Sequence, residues 1–280
     1  MNTLIKLLKR LPLYLLIGLV ALYALFPFYW ALNTSFKSES EMFESATYLP
    51  ENPTLKNYEY VFRDGTFLLA LRNSAIVSSA VSILSLTVGS FAAYALGRLR
   101  FKGRTIILYI VLSMTMFPSI SVLSGLYTIV REFGVFGTPL ALIITYPIFT
   151  LPFTVWVLTS FFRGLPAEIE QAAIVDGATP FQTFRMILLP LTAPALVTTG
   201  LLSFVQSWNE YLFALNFTIT EPSAQTVPVA IAQFSGKVAR QEPIAEIMAA
   251  AMIVTIPLVI LVLIFQNRIV AGLTAGAVKG

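Results

Sequence analysis

The chain has 280 residues, 57% hydrophobic and 11% charged, with a net charge of +4 and neither cysteine nor histidine. Soluble domains carry about 25% charged residues, so this is the composition of a polytopic membrane protein, and the small positive balance fits basic flanks of membrane spans rather than nucleic-acid binding. Without cysteine or histidine, disulfides, thiolate metal sites, Ser/His or Cys/His catalysis and histidine-ligated haem are all excluded.

Six segments are long enough, at roughly 20 residues each, to cross the hydrocarbon core as helices. They lie near 11–32, 74–97, 105–130, 138–161, 191–217 and 244–266. The first begins with Lys6, Lys9 and Arg10 like a signal peptide, but its apolar run is too long and lacks a small-residue cleavage site, so it reads as a retained anchor. Basic residues stay on the cytoplasmic side, which places the N-terminus there, and Arg98, Arg100, Lys102 and Arg104 after the second span agree.

The acidic connection 33–67 then faces outward, with NPTLKNYEYVF as a short packed element, and six crossings return the C-terminus to the cytoplasm. Within the second span Gly89, Ala93 and Gly97 form a small-residue stripe suited to close helix packing. Pro118 should bend the third span, and Pro147 and Pro152 lie in the fourth. The expected fold is all-α, a single membrane domain over 1–280, with a cytoplasmic loop at 162–190 and a cytoplasmic tail at 267–280. No soluble catalytic domain, internal repeat or low-complexity linker interrupts it.

The loop reads as helix, turn, helix. Pro166 suits a first helical position, Glu168 and Glu170 occupy the first turn where the helix dipole favours anions, and Gly177 is placed to end the helix in a left-handed conformation. Asp176-Gly177 is the turn. Thr179-Pro180-Phe181-Gln182 supplies an N-cap, a proline at the first helical position and a capping-box glutamine, so a second helix should run from Pro180 to near Pro190. Ile169, Ala172 and Ala173 align on the first helix, and Phe181, Phe184 and Leu188 on the second. Ile174 and Val175 fall elsewhere on the wheel, so the element is apolar on more than one side. By spacing alone, either a membrane surface or a protein partner could cover it.

The run Gln171-Ala172-Ala173, then Gly177, then Ile187-Leu188-Leu189-Pro190 resembles the cytoplasmic signature of the membrane subunits of binding-protein-dependent ABC importers: EAA, three residues, Gly, nine residues, I-x-L-P. Asp176-Gly177-Ala178-Thr179-Pro180 is similar to the subfamily that imports di- and oligosaccharides. The signature glutamate position holds Gln171, with Glu170 one residue earlier. The six-span layout, WNEYLFAL and the ending GLTAGAVKG extend the resemblance over nearly the whole chain, towards the second permease subunit of maltose- or trehalose-type importers.

That resemblance implies a type I importer fold. Residues Glu170 to Ala173 and Asp176 to Phe181 would form a coupling helix docked on a separate ATPase dimer. It also implies a second homologous permease subunit, an extracytoplasmic binding protein, a di- or oligosaccharide substrate and alternating access. The chain itself would carry no cofactor and catalyse nothing, ATP and Mg being bound by the partner ATPase.

The residues independently favour an external energy source. Gly236-Lys237, the one GK pair, lacks the upstream glycine of a phosphate-binding loop, and among acidic residues Glu210 alone falls clearly inside an expected span. A proton-coupled carrier using Glu210 is the alternative; an enzyme acting on lipid-linked sugars would need clustered catalytic groups that are absent from the sequence. Trp208, Asn209, Glu210 and Tyr211 form the densest polar run in a span. They suit either a sugar-translocation lining, offering hydrogen bonds to hydroxyls and rings to C–H faces, or an interhelical hydrogen-bond network.

Overall fold

The computed structural model describes residues 2–44, 47–63, 65–234 and 243–277, and Gly236-Lys237 lies outside them. In chain order the helices are α1 (Asn2–Ser35), α2 (Glu39–Glu44), α3 (Lys56–Arg63), α4 (Thr66–Arg98), α5 (Arg104–Ser113), α6 (Ser119–Glu132), α7 (Pro139–Thr145) and α8 (Pro147–Gly164). There follow α9 (Ala167–Val175), α10 (Pro180–Thr183), a π turn (Phe184–Leu188), α11 (Leu189–Leu191), α12 (Ala193–Trp208), α13 (Leu212–Thr218), α14 (Val227–Phe234) and α15 (Ile244–Ala277). Among the described residues, four stretches are continuous and apolar enough to cross a membrane, and two bent pairs bring the number to six if each pair is one span. The chain folds as two compact units, one of residues 1–65 with 231–256 and one of 66–230 with 257–280.

In the first unit, α1 is exposed from Arg10 to Tyr29 among the described residues, and its end, Asn33 to Ser35, is buried. The expected packed element of the 33–67 connection is α3. Asn57 donates both amide hydrogens, to the carbonyls of Ser35 and Lys37 at 2.9 Å each, which fixes α3 to the end of α1.

The second unit is organised on α4 packed along α8, with α12 against both. The small-residue stripe does what its spacing suggests. A Cβ at Gly89 would stand 2.6 Å from Thr154 Cγ2, one at Gly97 3.2 Å from Phe162 Cβ, and Ala93 is fully buried. Spans gain nothing by leaving lipid for one another's apolar surface, so close approach and hydrogen bonds hold them. The Ser85 and Thr150 hydroxyls share a bond at 2.7 Å and those of Thr154 and Ser203 one at 3.3 Å, linking α4 to α8 and α8 to α12.

The third expected span bends at Pro118 as its sequence suggests, sharply enough to break: Phe117 and Pro118 are extended, and the helices on either side meet at 97°. Proline excludes the helical conformation from the residue before it and donates no hydrogen, so Pro118 starts a new helix. The fifth, expected as continuous over 191–217, differs: α12 is bent by 75° from the helix before it and ends at Trp208. The segment set apart as a tail from 267 continues α15 as helix to Ala277.

Replacing Gly89 by Ala should lower the stability of the detergent-purified protein by about 1–3 kcal/mol through overpacking. Adding Thr154→Ser, which removes the methyl that the new Cβ meets, should restore most of it. Thermal unfolding of the single and double variants checks this.

Candidate functional site

The segment 166–191 shows how local chemistry builds an exposed helix–turn–helix. Pro166 sits at the N-cap of α9, one position before the first helical residue where the sequence suggested it, and Glu168 and Glu170 follow in the first turn. The end of α9 is a Schellman turn: Ala178 N–H donates to Ala173 O at 2.9 Å and Gly177 N–H to Ile174 O at 3.0 Å. Gly177 takes φ +81°, where a side chain would be strained although open space surrounds it. The capping box is formed in both directions. Gln182 N–H donates to Thr179 Oγ1 at 3.3 Å, and Thr179 N–H donates to Gln182 Oε1 at 2.8 Å.

Two fastenings hold this segment to the spans. Arg98, last residue of α4, donates to Glu170 Oε2 at 2.9 Å and to the carbonyls of Leu165 at 2.9 Å and Phe162 at 3.3 Å. Arg163 of α8 returns a bond to Leu96 O at 3.2 Å. Each arginine thus satisfies carbonyls left open at the end of the other's helix. The second fastening is aromatic. Phe184 sits 5.1 Å from Phe91, 5.0 Å from Tyr94 and 6.1 Å from Phe162 between ring centroids, with Leu188 fully buried beside it.

The faces sort differently from the wheel. Ala173 is buried and Ile169 packs on the core, but Ala172 is exposed with Gln171, because i and i+4 face inward here and i+3 does not. Phe181, though 57% exposed, lines with Phe184 an apolar cleft completed by Leu86 and Phe91 of α4. Ile174, Val175 at 86% exposure and Met186 are exposed as well, as are Asp176, Gly177, Thr179 and Pro180. Ala178 is half-buried.

The polar run at the end of α12 interrupts the helix. Asn209, Glu210 and Tyr211 form a break between α12 and α13, and Glu210 accepts from Phe213 N–H at 2.8 Å and Ala214 N–H at 3.0 Å. Both carboxylate oxygens therefore cap a helix N-terminus. Trp208 is buried and stacked on Phe204 at 5.5 Å, its indole N–H unpartnered among the described residues, while Asn209 donates to Val205 O at 2.9 Å. Asn209 and Tyr211 are exposed. A cleft of about 290 Å³, lined by Thr115, Phe117, Ser119, Phe149, Phe153 and Gln206, opens where the third span breaks. Gln206 stands two residues before Trp208, but the cleft's other walls come from sequence-distant helices.

Residues 85–274 match the family described as "Binding-protein-dependent transport system inner membrane component". The chain belongs to this family. It is 44% identical to the "Trehalose/maltose transport system permease protein MalG" of Thermococcus litoralis over 98% of this chain and 99% of that protein. It is likewise 44% identical to the "Trehalose transport system permease protein SugB" of Mycobacterium tuberculosis over 94% of this chain and 95% of the relative. The crystal structure of a bacterial ABC transporter involved in import of the acidic polysaccharide alginate contains a chain with the same fold. Its TM-score is 0.80 at 22% identity, covering 93% of this permease and 96% of that chain. This is therefore a multi-pass inner-membrane permease, a transport subunit and not an enzyme.

Arg98→Gln in the permease should cost about 2 kcal/mol, since it breaks a largely buried pair and frees two carbonyls. The loss should show as faster deuterium exchange across 167–175, with Glu170→Gln milder because its amide oxygen still accepts. Glu210→Ala should cost about 1–2 kcal/mol, with faster exchange confined to 212–218.

Proposed function

We propose that this permease subunit carries a di- or oligosaccharide inward by alternating access. It would be paired with a second, homologous permease subunit, driven by an ATPase dimer that binds ATP and Mg, and supplied by an extracytoplasmic binding protein. Residues Glu170 to Ala173 and Asp176 to Phe181 dock on the ATPase, so the loop 162–190 and both termini lie in the cytoplasm. The observation that carries the reading is the exposure of the apolar Ile174, Val175 and Phe181 on a segment otherwise tightly fixed to two spans. A rigid element with an uncovered face can transmit the movement of a docked partner to the helices behind it.

The saccharide class rests on relatives named for trehalose, maltose and diacetylchitobiose transport. The chemistry of the cleft at Gln206 suits it, with hydroxyls and an amide to bond sugar hydroxyls and the rings of Phe117, Phe149 and Phe153 to meet C–H faces. Asn209 and Tyr211, exposed at the break after α12, would offer further contacts to the sugar, with Trp208 and Glu210 beside them in the sequence and Glu210 capping α13. A carboxylate occupied by two backbone N–H groups is poorly placed to shuttle protons, which argues against the proton-carrier alternative.

Gly177→Val should insert into the membrane yet bind the ATPase poorly or leave hydrolysis uncoupled from uptake, because positive φ costs a side chain about 1–2 kcal/mol. Gln171→Glu, on an exposed and already acidic turn, should transport normally. The complete complex in proteoliposomes, with ATPase and sugar-uptake assays, provides the check. Normal coupling in Gly177→Val removes the loop from the mechanism, and uptake by this chain alone on a pH gradient without ATP overturns the importer reading.

A further inference from the structure

Helix α3 has a second polar surface that no span or loop of the proposed pathway uses. Lys56, Glu59, Tyr60 and Arg63 recur at i, i+3, i+4 and i+7, so they share one face. The adjoining face is locked: Val61 is fully buried, and Asn57 is held by the two carbonyls at 35 and 37. The free face lines a concave cleft of about 900 Å³, which Asn52 and Glu246, in the first turn of α15, complete from other parts of the same unit.

The charges here do not satisfy one another. Opposite charges three and four residues apart on a helix ordinarily pair, and Glu59 has Lys56 and Arg63 at those spacings. Yet among the described residues none of the side chains of Lys56, Glu59, Arg63 or Glu246 has an ion-pair or hydrogen-bond partner. Two cations and two carboxylates facing one hollow suit neither an anion nor a metal ion. They suit a neutral ligand whose groups donate and accept at once. Hydroxyls do so, with the half-exposed Tyr60 ring available to a C–H face. The size is that of a small-molecule site, and a protein surface would more usually meet a flatter patch.

We propose that this cleft is a saccharide-binding vestibule, a site separate from the membrane pathway that holds the sugar between its release by the binding protein and its entry among the spans. Lys56, Arg63 and Asn52 donate to its hydroxyls, Glu59 and Glu246 accept from them, and Tyr60 stacks on the ring. This rests on the saccharide-importer reading and on the outward orientation of the 33–67 connection.

The test uses the complete complex with its binding protein in proteoliposomes. ATP-driven uptake first identifies which of trehalose, maltose, sucrose or palatinose is carried, and a diazirine derivative of that sugar is then photolysed and its adducts mapped by mass spectrometry. Labelling is expected within residues 52–63. Tyr60→Ala and Arg63→Gln should each lower it about tenfold, the value of one lost charged or stacking contact, while Tyr60→Phe, which keeps the ring and packing, retains it. Normal uptake with no label in 52–63 overturns the vestibule and leaves the importer reading standing. Protection of 52–63 from deuterium exchange by sugar-free binding protein, again without label, assigns the cleft to protein docking and also overturns it. Uptake of none of these sugars, with diacetylchitobiose included in the trial, removes the di- and oligosaccharide reading and this inference with it.

Discussion

The Arg98 guanidinium ties together parts of the chain that the membrane would otherwise leave independent. It sits at the last turn of α4, bonds the closing carbonyls of α8 and pairs with Glu170 at the start of α9. Its planar fork suits this, because several N–H groups point in fixed directions from one charge. Arg163 answers from the other helix. The two spans therefore end in register, and the helix–turn–helix leaves them at a fixed angle. Without that anchor α9, nine residues long and flanked by a proline and a glycine, would have little reason to hold one orientation.

Behind the anchor, the spans are joined by contacts that water-soluble helices seldom need. Gly89 lets α8 approach until Thr154 nearly touches the α4 backbone, and serine and threonine hydroxyls bond across the seams. These small and polar contacts are short-ranged, so they specify one alignment of α4, α8 and α12 more sharply than interdigitated leucines would. A movement imposed at α9 and α10 thus meets a stiff bundle, and the breaks at Pro118 and at 209–211 are the places where the bundle is already interrupted.

What the sequence made legible follows from how local the governing rule is. The capping box at Thr179, the left-handed Gly177 and the break at Pro118 each depend on a few neighbouring residues, and all three are formed. The stripe at Gly89 was readable because its period of four is a helix face. The Arg98–Glu170 pair spans 72 positions and had no local mark; Arg98 was visible as one member of a basic cluster. The interruption after Trp208 was hidden because neither proline nor glycine marks it, and the helix restarts on a carboxylate that spacing alone made look like a buried charge. Phe181 shares the cleft of Phe184, as the wheel suggested, but its place in the first turn of α10 leaves it more than half exposed, which a wheel does not show.

The helix widens at Phe184–Leu188, between the Gly177 turn and the first bend into α12. A π turn takes up an additional residue without lengthening the path in proportion, so the segment carries one residue more than an ordinary helix over the same path would need. Removing that residue would restore the ordinary helix and leave whatever follows in phase with the Gly177 turn. A second removal would rotate the rest by about 100° and empty the socket around Phe184. The π turn therefore gives this stretch a tolerance of one residue in length and no more.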